Sequence, residues 1–591
     1  MEAKARPFSF IEEVEILEIP FFQRSYVWER ENWEELLSDL LKVGHNPFLG
    51  SLILKRVDRL SGDLRHALVI DGQQRLTTLS ILLKALNDTY DEDLQEDVRR
   101  LLFFRKTSRS EERLPRLQHS RLDRESYCAI VNSRSNAEVP QNGDDRILAC
   151  YRFFYERLME CPQADRDRLL DLLVNGRTNI WVVIDLDAKD NEQAIFDTIN
   201  SAGVRLSYAD TIKNSVFQDA LRAAGEDRRA DVINLYEQSW QNVFEADEES
   251  RNYWQHEAQA IRVKRTNLEI FLHSFAIVKG FYSPKDNSLE DLPDLYKAKT
   301  SDMGFAELTG FVREIARVAR IYRERILVFD DSKLFSYADT AERVFHILDR
   351  CNVTTFHPYV LSLYANNEEK SDLIQNRLRE LESFVIRQFV CRKSARQYNT
   401  YCAEFISDAN AVERRNRETD AAEVRSHLRA IDNRQAALVL FWIELHRREA
   451  DARESVKALK FDYSLEHVLP QKWKQNWSGV PVLNEEGNVV EDPVEGEKVR
   501  DQKLWEIGNM TLLNSRLNTA ISNSAFEVKI AGLPADGRKR AKKGIRDYGD
   551  LKITKEDILR PYENGDHMWD EAHISRRTEA LIQEFESLWG V

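Results

Sequence analysis

Apolar residues change their spacing repeatedly along the chain. In residues 33–43 (WEELLSDLLKV), Trp33, Leu36, Leu37, Leu40 and Leu41 recur three and four apart, which is one face of an α-helix. Residues 50–56 (GSLILKR) and 67–70 (ALVI) are short apolar runs without that period and predict strands. A turn at Asp71-Gly72 then opens a second amphipathic helix over 76–86. Residues 180–187 (IWVVIDLD) predict a buried strand leading into a helix over 192–200. That helix stops at Ser201-Ala202-Gly203, where Gly203 suits the left-handed position after a helix end. From 215 to 455 nearly every window carries a helical period with a charged face. Around 461 short strands, Gly, Pro and Asn appear, and 479–496 predicts a loop or hairpin insertion. These shifts divide the chain into 1–215, a helical middle at 216–455, and 456–591. No fixed-period repeat is visible, which argues against a solenoid.

The chain has 591 residues, too many for one hydrophobic core. It is 42% hydrophobic and 31% charged with few glycines and prolines, so disordered and collagen-like classes are excluded. The excess of helix formers predicts an α+β, mainly helical fold. A net charge of −15 excludes an evenly basic coat but not a local basic patch. None of the six cysteines forms a C-x-x-C pair, so a cysteine zinc site is not expected; free thiols in a reducing cytosol are. The N-terminus has no apolar signal region. The longest apolar run, 436–443 (AALVLFWI), falls well short of the roughly 18 residues that cross a bilayer. A cytoplasmic protein without membrane association is expected.

The stretch SLEHVLPQ at 464–471 places an acidic residue directly before a histidine at the end of a short strand. A neutral His467 can deprotonate water near pH 7. The Glu466 carboxylate can hold a hard divalent cation such as Mg2+, which stabilises charge on a scissile phosphate. Asn509 and Asn518, nine residues apart around an apolar run, suit a ββα-metal site. One asparagine would pin the histidine loop and the other would join Glu466 at the metal. For a lone histidine the blander reading is a satisfied loop residue; the E-H-x-x-P spacing with two downstream asparagines favours the chemical one.

Basic residues Arg538, Lys539, Arg540, Lys542 and Lys543 follow, with Lys529 in the preceding helix pattern. Such a run can neutralise DNA phosphates, and the alternative is a solvated loop. A smaller cluster at 262–265 (RVKR) reads as a solvated face.

At the other end, IPFFQRSYVW (19–28) joins VIDGQQRLTTL (69–79), a strand, tight turn and helix. Gly72 allows close backbone approach, and the first-turn N–H groups of the helix would face an anion. Gln73, Gln74, Arg75 and Arg24 add donors there, and Tyr26 and Trp28 could stack on a base. No Walker A loop occurs anywhere in the chain. Physical chemistry divides this reading evenly from a plain turn and helix cap with Arg75 in a surface ion pair.

EHVLPQ followed by GNMTLLNSRLN resembles the HNH nuclease motif, an acidic residue, His, Ile, any residue and Pro, then Asn, then Asn. The resemblance implies that His467 is the general base, that Glu466 and Asn518 bind metal, and that Asn509 tethers the histidine loop. Asparagine in the third motif position implies Mg2+ or Mn2+ rather than a histidine-rich zinc site. PFFQRSYVW with IDGQQRLTTL resembles the N-terminal domain of the GmrSD family of type IV restriction enzymes. Residues 194–207 (AIFDTINSAGVRLS) resemble a third segment of that family, with Asn200 either lining the pocket or ending a helix and Gly203 structural.

The family implies a ParB/sulfiredoxin-like core with NTPase activity over 1–215 and an HNH domain over 456–591. Gln23, Arg24, Tyr26, Asp71, Gly72, Gln73, Gln74 and Arg75 would then bind a nucleoside triphosphate, with GTP, ATP, CTP and UTP undistinguished. The implied function is metal-dependent cutting of foreign, modified double-stranded DNA such as phage DNA, gated by the nucleotide. A nonspecific nuclease acting in abortive infection and a non-catalytic DNA-binding protein are the rivals. One HNH site cuts one strand at a time, so cutting both calls for a homodimer or repeated nicking.

Overall fold

The short apolar runs of the first two hundred residues become neighbours in one sheet. In the computed structural model its strands are β1 (Glu2–Arg6), β2 (Ile16–Glu18), β3 (Ser51–Arg56), β4 (His66–Asp71), β5 (Leu117–Gln118) and β6 (Trp181–Leu186), in the order β1-β6-β3-β4-β2-β5. The structure describes all residues except 1, 43–46, 58–64, 91–94, 106–111, 141–144, 187–206, 261–262, 331, 368–370, 485, 515–522, 534–542 and 591. β3 runs parallel to β6, with Ile53 opposite Ile184, and antiparallel to β4; β2 runs parallel to β4.

Alternation along these strands sends Leu52, Leu54, Val69 and Val183 into the main core and Ile53, Ile70, Ile184 and Leu186 into a second apolar cluster. Apolar cover on both faces is why the strands read as unbroken hydrophobic runs. Helices α1 (Arg30–Leu41), α2 (Gln73–Asp88), α3 (Arg121–Asn132) and α4 (Arg146–Glu160) contribute to the main core, and α2 packs on α3 and α4. The face predicted for α1 is buried through Trp33, Leu36, Leu37 and Leu40. α2 begins three residues earlier than its periodicity suggests, directly after Gly72.

The chain forms two compact units, Met1–Gln241 with Tyr296–Gly310, and Asn242–Leu295 with Phe311–Val591. The helical stretch 216–455 is therefore divided between them. In the second unit, α5 (Ser371–Val390), α6 (Ala421–Leu428) and α7 (Asn433–Ala450) precede an antiparallel pair, β7 (Ser464–His467) and β8 (Met510–Leu513), followed by α8 (Phe526–Ala531) and α9 (Glu571–Trp589). A reciprocal cap starts α7: Asp432 accepts from the Gln435 backbone and Gln435 accepts from that of Asp432. α7 packs against both β7 and β8. Its buried Glu444 accepts backbone N–H groups of Lys552 at 3.0 Å and Ile553 at 2.9 Å. From α9 the buried Arg577 donates to the carbonyls of Gly508 at 2.9 Å and Met510 at 2.6 Å, fixing the start of β8.

The fold is thus α+β and mainly helical. Three features escaped the sequence pattern: the strand pair Glu257–Ala260 with Val263–Thr266, the pair Leu334–Ser336 with Ala458–Lys460, and helix Pro493–Lys503, which begins within the expected insertion and runs beyond it. The helix expected over 192–200 and its Gly203 stop lie outside the described residues. Among the described residues no helix is long and apolar enough to cross a membrane.

Candidate functional site

β7 delivers Glu466 and His467 opposite Thr511 and Met510, and Pro470, which has no N–H to donate, follows where the pairing ends. His467 is only 8% exposed. Its Nδ1 lies 3.0 Å from the Leu504 carbonyl oxygen. A carbonyl only accepts, so Nδ1 carries the proton and Nε2 keeps the lone pair. Burial, with a smaller contribution from the Lys529 charge, holds the His467 pKa below its ordinary 6.5, so the ring is neutral near pH 7. Nε2 is 3.0 Å from the atom placed as Asn433 Oδ1 and 3.4 Å from Gln471 Nε2. A lone pair needs a donor, so the Asn433 amide presents its NH2 group there, oxygen and nitrogen being interchangeable in shape. The edge of Trp505 closes one side, with ring centroids 5.4 Å apart.

Asn509 is fully buried and every polar atom of its amide is used. Oδ1 accepts from the Leu469 backbone at 2.8 Å and from Trp569 Nε1 at 3.3 Å. Nδ2 donates to the carbonyls of Leu469 at 3.0 Å and Leu504 at 3.2 Å. The same Leu504 carbonyl anchors His467, so Asn509 ties the residues after the histidine to its anchor.

Glu466 is buried and ion-paired through Oε1 with Lys529 of α8, whose ammonium also donates to the His467 carbonyl at 2.7 Å. Burial raises the Glu466 pKa and lowers that of Lys529, each against the attraction of the other. Lys529 is therefore not part of an exposed phosphate-binding run, because its side chain is fully enclosed on the inward carboxylate. Lys543 is exposed, while Arg538, Lys539, Arg540, Lys542 and the expected metal ligand Asn518 lie outside the described residues.

Asn433 and Trp505 were not expected at this site from the sequence, and Gln471 entered only as the last residue of the quoted motif. Asn433 lies at the start of a helix that composition assigned to another region. Its effect on turnover is predicted to be small, since water must displace a donor from Nε2 before the ring can act. Asn433→Ala should keep cleavage within about tenfold of the parent, the worth of one hydrogen bond. A loss as large as that of His467→Ala in the same assay would place Asn433 in the catalytic set.

In the first unit Gly72 has φ +92°, and a Cβ there would meet Leu52 Cδ1 at 2.7 Å. Gly50 faces the same point: its Cβ would lie 2.3 Å from Arg75 Nη1. Both glycines let β3, the turn and α2 close together. Arg75 donates to the Leu49 carbonyl at 2.6 Å and pairs with Asp71 at 3.3 Å, while burial lowers its pKa. Gln73 is half-buried at the first position of α2.

Gln74 uses both ends of its amide on the 21–28 segment, accepting from Val27 N at 2.9 Å and donating to Ser25 O at 3.1 Å. Gln23 Nε2 donates to Val69 O at 2.8 Å. Arg24, between these two anchors, is held beside the β4–α2 turn. Among the described residues Gln23 Oε1 and Arg24 Nε are both buried without a hydrogen-bond partner. Tyr26 does not offer a face for base stacking. It is buried, its hydroxyl lies 2.6 Å from Thr78 Oγ1 and accepts from Trp33 Nε1 at 2.9 Å, and burial drives its pKa far up. Trp28 is partly buried against the main core. Asn200 lies outside the described residues.

The fold and sites define a two-part protein, with a glycine-turned strand–helix site in one unit and a histidine–carboxylate site on a strand pair in the other. Residues 8–217 match the model of the GmrSD restriction endonuclease N-terminal domain, and residues 413–584 match that of the GmrSD restriction endonuclease C-terminal domain. The chain belongs to the GmrSD family of restriction endonucleases. The second match includes α7 and Asn433. The chain is also 23% identical over 223 residues to an uncharacterised protein of Methanocaldococcus jannaschii, a match covering 33% of this chain and 38% of that protein.

Proposed function

We propose that this protein is a type IV restriction endonuclease that hydrolyses phosphodiester bonds of foreign, modified DNA at an HNH-type site, under control of a nucleoside triphosphate bound in the first unit. The observation that carries this reading is the state of His467, the residue directly after Glu466: neutral, with Nδ1–H fixed on a carbonyl and the lone pair on Nε2. A residue so held takes a proton from water. Asn509 keeps the ring from turning away.

The donor set fits a hard divalent cation. Glu466 offers an oxygen anion, and Lys529 engages its Oε1. Glu466 and Asn518 would hold Mg2+ or Mn2+, which when bound stabilises charge on the phosphate and on the leaving oxygen.

For the nucleotide, support comes from the two buried polar atoms of Gln23 and Arg24 that no group among the described residues satisfies. Arg24→Ala is expected to weaken triphosphate binding by roughly ten- to a hundredfold, one charge-assisted hydrogen bond. Calorimetry with each of the four nucleotides checks this, and unchanged affinity would move the site elsewhere.

The reading as a whole is tested by cleavage of matched DNAs with Mg2+ or Mn2+, with and without triphosphates: unmodified plasmid, glucosylated-hydroxymethylcytosine phage DNA and phosphorothioated plasmid. Selective, nucleotide-dependent cutting of one modified DNA supports it. Equal cutting of all three would replace it with a nonspecific effector nuclease acting in abortive infection.

A further inference from the structure

Three potential metal ligands meet in the second unit, in a part of the molecule the nuclease reading does not use. Cys391 follows the last residue of α5 and is buried. Glu423 and His427 are one turn apart on α6, the spacing that puts two side chains on one helix face. One ligand atom from each of the three lies within 4.8 Å of the others. Nδ1 of His427 is 2.9 Å from the Glu423 carbonyl, so Nδ1 holds the proton and Nε2 keeps its lone pair, the arrangement of metal-bound histidines.

The two helices are already tied here, by Gln388 Nε2 to Thr419 Oγ1 at 2.7 Å and by Arg387 to the Thr419 carbonyl. The ligands therefore need little gathering. Lys393 pairs with Glu423 Oε1 at 2.6 Å across a partly exposed surface, an ion pair weak enough for a cation to displace.

We propose that Cys391, Glu423 and His427 form a second metal site, for Zn2+, joining the end of α5 to α6. One thiolate, one imidazole and one carboxylate suit a tetrahedral borderline-soft ion with a fourth position for water. They do not suit the Mg2+ or Mn2+ proposed for Glu466. On binding, the thiol proton passes to solvent and a zinc–sulfur bond replaces the sulfur–hydrogen bond.

Full-length protein is titrated with Co2+, then Zn2+, following the near-ultraviolet thiolate-to-cobalt charge-transfer band. The expected result is a band saturating at one Co2+ per chain, displaced by Zn2+, and lost in Cys391→Ser and in His427→Ala. It should persist in His467→Ala, since no thiol belongs to the nuclease site. Lys393→Ala should bind Zn2+ several-fold more tightly, having lost the competitor for Glu423. Circular dichroism verifies that each variant is folded. Absence of the band in the parent protein, or its survival in folded Cys391→Ser or His427→Ala, would overturn the site.

Discussion

Replacing His467 with alanine is expected to slow DNA cleavage by roughly 10²–10⁴-fold, the range a positioned general base contributes. The substitution removes Nε2 but leaves the Glu466–Lys529 pair and the Asn509 tether, so DNA and metal affinity should change far less than the rate. A pH profile gives a second readout. Cutting needs the neutral ring, and burial holds the His467 pKa below 6.5. The rate should therefore stay level from neutral pH down past 6.5 and fall only as pH drops through that lowered value.

The sign for stability follows from the same shift. The unfolded chain takes up this proton at a higher pH than the folded one. His467 therefore withdraws stability as pH falls through its unfolded value and restores it as pH rises. An acid limb centred above 6.5, or one retained in His467→Ala, would assign the base to another residue.

The two sites were legible in the sequence to different depths. Glu466 and His467 end one strand and Asn509 stands directly before its partner strand, so their meeting depends on a strand pairing that the motif records across the long connection 468–509. Asn509 was assigned the tether by the resemblance to the HNH motif, and its amide bonds Leu469 after the histidine, the Leu504 carbonyl that anchors the ring, and Trp569. Asn433 could not be found this way. It reaches His467 from α7, and the change of texture near 455 marks a switch from helices to strands, not the edge of a packed unit.

Lys529 and Tyr26 were misplaced for a common reason. In each case the sequence records a polar group, but nothing local says that it is turned inward onto Glu466 or Thr78. The absence of C-x-x-C argued against a cysteine metal site. Yet Glu423 and His427 have the i, i+4 spacing of a ligand pair, and only the α5–α6 packing brings Cys391 to them. In the first unit Gly72 was legible because a tight turn from strand to helix favours glycine, and its φ of +92° is one that other residues rarely adopt.

The largest effect on stability is expected at Lys529. A carboxylate and an ammonium enclosed together have both lost water, and removing one partner leaves the other charged and unsolvated. Breaking such a pair typically costs about 3–5 kcal/mol. Lys529→Met should destabilise the metal-free protein by about that amount in urea denaturation with EDTA. Glu466→Gln combined with Lys529→Met should recover much of the loss, since no bare charge then remains.

The same variants examine the metal reading without any cleavage assay. A cation that binds only the folded state stabilises it by about 2.7 kcal/mol at a hundred times its dissociation constant. In Lys529→Met, Glu466 has no competing ammonium, so Mg2+ should bind more tightly and stabilise this variant more than the parent. It should do nothing for the double variant, where the ligand is gone. Equal stabilisation of all three proteins by Mg2+ would mean that the ion binds elsewhere. Glu466 would then be a structural partner of Lys529 rather than a metal ligand.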